Sequence, residues 1–291
     1  MKPVFAKILE DLQREVFAIR ITDLPYFSTE FHFHNECQIN YIIESEGKRI
    51  IGDNVETFKS DELTLLGPDL PHVWYSDKQL SGKRKKGNHA RSMTLFFNPD
   101  KLLEALSHFG PVKRIESLLK KASRGMKFSG HTKLQLKQLM MDMMEQSELT
   151  RLITFIKMLG LISTTKEFEF LASDGYINTY QAKDNDRIDK IFKYVLNNFS
   201  DEIKLNYVAK LANMNKQAFC RYFKTRTQKT FVQFVNEVRV GHACKLITNG
   251  KNQIASLAYD CGFNSLSNFN RFFKEVKGVT PREYRKMIDT E

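Results

Sequence analysis

Cysteine is scarce in this chain of 291 residues: there are 4, Cys37, Cys220, Cys244 and Cys261. None stands in a Cys-x-x-Cys pair, which excludes the common zinc-finger spacings and a disulfide framework. Long apolar runs are also lacking. The most apolar stretch, LITFIKMLGLI at 152–162, is short and interrupted by Lys157, whereas a membrane-spanning helix needs about 20 apolar residues. The first residues, MKPVFAKILEDLQREV, carry acids where a signal peptide has its apolar segment. These absences predict a soluble, cytoplasmic protein. There is no Gly-rich phosphate loop, no Gly-x-Ser-x-Gly elbow and no Cys/His nucleophile signature. The expectation is a non-enzyme with no catalytic residues and no cofactor.

Acidic side chains are the minority, 34 against 45 Lys and Arg, for a formal charge of +11. The excess is uneven: residues 184–291 hold 19 basic and 11 acidic side chains. A basic C-terminal third points to a polyanionic partner. From Val16 to about Phe97, short alternating runs such as FHFHNECQINYII and ELTLLGP predict strands. From about Pro99 the apolar residues recur every three or four, which predicts helices. The polar stretch ASDGYINTYQAKDND at 172–186 has neither period and reads as a linker. The predicted organisation is a strand-rich unit over 1–99, a helical region over 100–171, a linker over 172–186 and an all-helical unit over 187–291.

The last third contains an internal repeat at an offset of 50. Phe219, Arg221, Phe223 and Lys224 fall on Phe269, Arg271, Phe273 and Lys274, and Asn215 falls on Ser265. Each copy reads as helix, tight turn, helix, with Ala212 and Gly262 as paired small residues at the turn. TFVQFVNEVRVGHACKLITNG at 230–250 reads as a long helix joining the copies. Phe219 and Phe223 are four apart and share the inward face of one helix, as do Phe269 and Phe273. The other face then presents Lys216, Gln217, Cys220, Arg221 and Lys224 in the first copy. In the second it presents Ser265, Leu266, Ser267, Asn270, Arg271 and Lys274. Arg, Gln and Asn have the donor geometry that reads base edges in the major groove. Lys224, Lys274, Lys277 and Arg285 suit phosphates. Two such helices would enter successive major grooves of double-stranded DNA.

Residues 188–286 resemble the DNA-binding domain of the AraC/XylS family of bacterial transcription regulators. The resemblance is carried by Ile254-Ala255, Gly262-Phe263, Ser265, Phe269, Arg271, Phe273-Lys274 and Gly278-x-Thr280-Pro281-x-x-Tyr284-Arg285. The first copy departs from the family pattern at Asn215, usually Ser, and at Ala212, usually a larger aliphatic. The resemblance implies promoter binding and control of transcription initiation with RNA polymerase, usually activation, by a homodimer.

FHFHNECQINYIIESEGKRIIGDNVETFKSDELTLLGPDLPHVW resembles the sensor half of many family members, a small cupin-type β-barrel. Its carriers are His32-x-His34, Gly47, Asp61-Glu62 and Pro68…Pro71-His72. The implied fold is α+β: a cupin-like barrel followed by helices, then an all-α domain of two helix-turn-helix motifs joined by a long helix. His32, His34, Glu36 and Gln38 share one parity, so they would line one face of a strand. With His72 and Trp74 they form the predicted effector site. His32, His34 and His72 are also a candidate metal set. However, Gln38 stands where metal-binding cupins carry a carboxylate, so the reading assigns no resident metal and takes a small organic effector as the occupant. Two alternatives stand beside it: a metal-dependent cupin enzyme fused to a DNA-binding domain, and a regulator without effector. The helical region, with four methionines in LQLKQLMMDMMEQ, is the predicted dimerisation and coupling element.

Overall fold

The structure is a computed structural model describing residues 16–27, 31–77, 89–110, 112–176, 185–249 and 253–289. The sequence expectations for the N-terminal segment before Val16, for most of the basic loop at 81–92, and for residues 177–184 of the linker lie outside the described residues.

Strands β1 (Phe17–Leu24), β2 (Cys37–Glu44), β3 (Gly47–Ile51), β4 (Asn54–Phe58), β5 (Leu63–Leu66), β6 (His72–Ser76) and β7 (Ala90–Phe97) come first. They form two antiparallel sheets. One has the order β4-β3-β6, and the other runs β1-β7-β2-β5 and continues into two short strands from the region that follows, β8 (Met126–Phe128) and β9 (Phe168–Phe170). Side chains alternate faces along a strand, and both faces of the larger sheet are covered. Cys37, Ile39, Tyr41, Leu63, Leu65, Met93, Leu95 and Phe97 lie in a core with the following helices. The opposite parity, Ile42, Leu66 and Ala90, packs with Ile51, Phe58 and Trp74 of the smaller sheet.

Helices α1 (Pro99–Ser107), α2 (Lys113–Ala122), α3 (Gly130–Asp142) and α4 (Glu148–Thr164) follow. The stretch predicted as helical also holds two short strands, β8 (Met126–Phe128) and β9 (Phe168–Phe170). β8 pairs with β5 through Thr64↔Lys127 and Leu65↔Met126. The larger sheet therefore extends into the helical region, and three-residue strands are too short to show a period of two. The methionines divide. Met140 and Met143 are fully buried, whereas Met141 and Met144 are exposed.

The C-terminal part consists of α5 (Asn185–Asn198), α6 (Leu205–Leu211), α7 (Lys216–Thr227), α8 (Phe231–Asn249), α9 (Ile254–Asp260), α10 (Leu266–Lys277) and α11 (Pro281–Asp289). The two helix-turn-helix units are α6–α7 and α9–α10, joined by α8. Side-chain caps open both second helices: Asn215 Oδ1 accepts from Ala218 N–H at 2.8 Å, and Ser265 Oγ from Asn268 N–H at 3.3 Å. Each such cap contributes about 1 kcal/mol.

The structure corrects the repeat at its turn. Ala212 ends α6 with φ −84°, as Cys261 ends α9 with φ −85°. The left-handed positions are Asn213 (φ 54°) and Gly262 (φ 82°). The offset is therefore 49 through the first helices and turns, and 50 in the second helices. Asn264 is the extra residue. Ala212 and Gly262 are not structural equivalents.

The C-terminal part packs on the outer face of the smaller sheet. Phe31, Ile50, Val55, Val73 and Tyr75 share one buried cluster with Ile188, Phe192, Phe219, Phe223, Phe234 and Val238. The Phe31 and Phe192 rings meet edge to face at 5.1 Å. Polar contacts surround this seam. Lys277 Nζ lies 3.1 Å from Glu56, and Lys245 binds both Glu46 and Asp77. Lys48 is buried in the seam, with its ammonium 3.7 Å above the Phe199 ring.

Candidate functional site

The first candidate surface is the outer face of α7 and α10. Phe219, Phe223, Phe269 and Phe273 are all fully buried, anchoring both helices by one face. Lys216, Gln217, Cys220, Arg221 and Lys224 are exposed on α7. Leu266, Ser267, Asn270, Arg271 and Lys274 are exposed on α10. The two faces thus repeat an arginine and a lysine at matching positions. Ser265 is half-buried, and its hydroxyl oxygen serves as the helix cap. Lys277, expected to meet phosphate, is instead held by Glu56 across the seam. Arg271 leans over the Phe272 ring at 4.2 Å and lies 3.7 Å from Glu275. At that distance, between exposed groups, the pair holds the guanidinium only weakly.

The second candidate is a cluster of histidines beside the interior between the sheets. His32 N–H donates to His72 O at 3.2 Å and His72 N–H to His32 O at 2.8 Å, in an isolated antiparallel bridge. Directly opposed residues of such a pair project to the same face. Asp69 N–H donates to His34 O at 2.8 Å and ties the third histidine to the same corner. Ring centroids lie 4.5 Å apart for His32 and His72, 5.1 Å for His34 and His72, and 5.9 Å for His32 and His34. The expected strand alternation does not collect them, because β2 begins only at Cys37 and carries Gln38 alone of the four. A bridge and a turn do this work.

His34 and His72 are buried. Burial, reinforced by the neighbouring His32, pulls His34 down from 6.5 to about 4. Burial pulls His72 well below its ordinary value. Both rings are neutral at pH 7. His34 Nδ1–H donates to Glu36 O at 2.9 Å, and His72 Nδ1–H to Leu70 O at 2.7 Å. With the proton on Nδ1, each ring keeps its lone pair on Nε2. Gln38 Oε1 lies 3.3 Å from His34 Nε2. Glu36 Oε2 sits 3.5 Å from His34 Nδ1 yet has no hydrogen-bond partner among the described residues. The Trp74 ring centroid lies 5.6 Å from that of His72, and its buried indole N–H has no acceptor among the described residues. All six predicted effector residues therefore gather at one corner.

Sequence reasoning missed the polar row beside them. Asn40 pairs in register with Thr64 on β5 and Thr94 on β7. All three are buried, and Thr94 Oγ1–H donates to Asn40 Oδ1 at 2.8 Å. Thr64 Oγ1 has no hydrogen-bond partner among the described residues. Unpaired buried polar atoms are costly and rare in a plain core. The parity of Gln38 and Asn40 against Cys37, Ile39 and Tyr41 in CQINYII was the available signal. A buried ion pair, Arg49 Nε to Glu62 Oε1 at 2.8 Å, was likewise missed.

Among known proteins, residues 208–287 match the family described as "Helix-turn-helix domain". The chain is similar to the HTH-type transcriptional activator RhaS of Mannheimia succiniciproducens, 30% identical over 125 residues, covering 43% of this chain and 44% of that protein. It is similar to the HTH-type regulator YdeC of Bacillus subtilis, 28% identical over 101 residues, 35% of each chain. A longer similarity, 20% over 258 residues, joins it to the Msm operon regulatory protein of Streptococcus mutans, covering 86% of this chain and 84% of that one. The chain thus spans less than half the length of the first two relatives. Of solved structures, ToxT of Vibrio cholerae with a bound unsaturated fatty acid covers 94% of this chain and 96% of its own, at 17% identity and a TM-score of 0.37. The C-terminal part of this chain thus carries a helix-turn-helix domain over residues 208–287, behind a sheet-rich N-terminal part. Among the described residues no helix is long and apolar enough to cross a membrane.

Proposed function

We propose that this chain, with its AraC-type helix-turn-helix domain, is a sequence-specific transcription regulator that reads two short DNA subsites. The observation that carries it is the repeated outer face of α7 and α10, where Arg221 and Arg271 stand exposed at equivalent positions above buried phenylalanines. Arg, Gln217 and Asn270 read base edges, while Lys216, Lys224 and Lys274 hold phosphates. We assign the chain activation of transcription with RNA polymerase, as a cytoplasmic protein and not an enzyme.

The sheet-rich part senses a small-molecule effector in this reading. Support comes from the buried polar row of Asn40, Thr64 and Thr94 and the unsatisfied Trp74 N–H, which a polar ligand would complete. An effector shifts the balance between two arrangements of the chain only through differential affinity for them. The seam through Lys48, Lys245 and Lys277 is the contact such a shift would change. Homodimerisation fits the exposed apolar stripe Leu149, Leu152, Ile153 and Ile156 on α4. Pairing would give the second DNA module an effective concentration of about millimolar.

Selection of bound duplexes from a random pool tests the reading. The expected result is enrichment of two short motifs about ten base pairs apart. Salt-sensitive binding that enriches no sequence would overturn it.

A further inference from the structure

We propose that the cleft between the smaller sheet and the C-terminal part binds a small aliphatic diamine, with one ammonium group held by Asp53 of the sheet and the other by Glu275 of α10. The cleft has a volume of about 360 Å³, at the lower end for small-molecule sites. Its walls come from the turn into β4, the start of α8 and one side of α10. They carry four carboxylates, Asp53, Glu56, Glu237 and Glu275, against one lysine, Lys229.

Three observations set this cleft apart from an ordinary acidic surface. First, Asn236 on α8 lines it and is only 5% exposed, yet its side-chain amide has no hydrogen-bond partner among the described residues. Buried amides are rarely left unpaired, and this one offers an oxygen to a donor entering the cleft. Second, the carboxylates are unequally neutralised. Glu56 is held by Arg49 at 3.2 Å and Lys277 at 3.1 Å, and Glu237 by Lys229 at 2.7 Å. Asp53 meets no cation among the described residues and accepts only from Ser173, its N–H at 3.0 Å and its Oγ–H at 2.6 Å. Glu275 has Arg271 alone, at 3.7 Å between exposed groups. One open negative charge thus stands on each part of the chain. Burial, with the like charges of Asp53 and Glu56 added, raises the Glu237 carboxyl above its ordinary range although Lys229 clasps it; the cleft favours positive charge. Third, these carboxylates form no group that could share one metal ion, among the described residues. A single ion therefore does not serve, whereas a chain with an ammonium at each end does. Its methylenes would lie on Val55, Leu171 and Val276, which line the same cleft. Ammonium-to-carboxylate hydrogen bonds at the two ends are the strong, charge-assisted kind.

The site stands on its own geometry and uses none of the residues of the histidine corner. Its role in regulation rests on the regulator reading above. A diamine bridging Asp53 and Glu275 would clamp α10, which also carries Arg271 and Lys274, against the sheet. It would favour that docked arrangement by its differential affinity for it.

Isothermal titration calorimetry of the full-length chain with 1,4-diaminobutane is the test, with 1-aminobutane as the singly charged probe. The expected result is one diamine per chain, with 1-aminobutane weaker by about tenfold or more for the lost charged contact. Asp53→Asn and Glu275→Gln should each weaken the diamine by about the same factor. Asp53 is half-buried and Glu275 exposed; a circular dichroism spectrum and melting temperature like those of the wild type show that the variants fold. Glu104→Gln, an exposed carboxylate on α1 outside the cleft, should change nothing. Absence of stoichiometric binding, equal affinity for the two amines, or undiminished affinity in both folded variants overturns the site. DNA binding with and without the diamine, in wild type and Asp53→Asn, separates the two claims. A change in DNA affinity that Asp53→Asn abolishes is expected. Calorimetric binding with unchanged DNA affinity upholds the site and overturns its regulatory role.

Discussion

Asn213 and Gly262 hold the same left-handed position in the turns of the two helix-turn-helix units, with φ of 54° and 82°. Their surroundings differ. A Cβ at Gly262 would come within 2.6 Å of Phe199 O and 2.7 Å of Ser200 O, both backbone atoms. Asn tolerates this backbone conformation in the first unit, but only glycine fits the second. Gly262→Ala should therefore destabilise the chain by about 2 kcal/mol, whereas Asn213→Gly should be nearly neutral. Urea denaturation followed by circular dichroism checks both. Equal effects would show that the close backbone approach has no energetic weight.

Lys48 makes the packing of the two parts depend on pH. Burial lowers its ammonium from 10.5 to about 7. In the unfolded chain the group stays protonated up to about 10.5, so between about 7 and 10.5 the unfolded state binds more protons. Stability then rises with pH across that window, by at most about 1.4 kcal/mol per unit. Neighbouring His242, lowered to about 4, is neutral across this window, whereas the Cys261 thiol, raised by burial from 9.0 to about 12, ionises first in the unfolded chain and opposes the rise above about pH 9. Lys245 is paired with Asp77 and Glu46. The melting temperature should rise from pH 7 to pH 9 in the wild type and be flatter in Lys48→Met. A slope unchanged by Lys48→Met would contradict this assignment.

The exposed stripe on α4 predicts the assembly state. Leu149 and Ile153 are 68% and 60% exposed and lie four residues apart on one face. A Leu149→Asp, Ile153→Asp double variant should run as a monomer in analytical ultracentrifugation, with an unchanged melting profile and weaker binding to a two-subsite duplex. A wild type that is monomeric at tens of micromolar would remove α4 as the dimer surface.

The helical unit was largely legible in the sequence, because helix periodicity, caps and buried phenylalanines all act within a few residues. The spacing of Phe219 with Phe223 and Phe269 with Phe273 was enough to orient both outer faces. The one-residue slip at Asn264 was not legible, since a uniform offset of 50 matches the more distinctive second helices. In the sheet-rich part, His32, His34 and His72 were found by residue type, although the reason offered for their meeting was wrong. A non-local bridge, His32 to His72, leaves no periodic trace in the sequence. β8 and β9, three residues each, were invisible because they are too short to show a period of two, and Lys277 could be seen as tied to Glu56 only once the two parts were docked.

The most direct test of the regulator reading compares Arg271→Ala with Lys274→Ala on duplexes carrying the selected motifs, each titrated over a range of salt. Arg271 is assigned to base edges and Lys274 to phosphate. Arg271→Ala should cost about 1–3 kcal/mol and relax preference in one submotif only. Lys274→Ala should weaken binding to all sequences alike and reduce the salt slope by about 1. If both variants lower affinity uniformly and preserve every base preference, α10 does not read DNA sequence, and the central claim is contradicted.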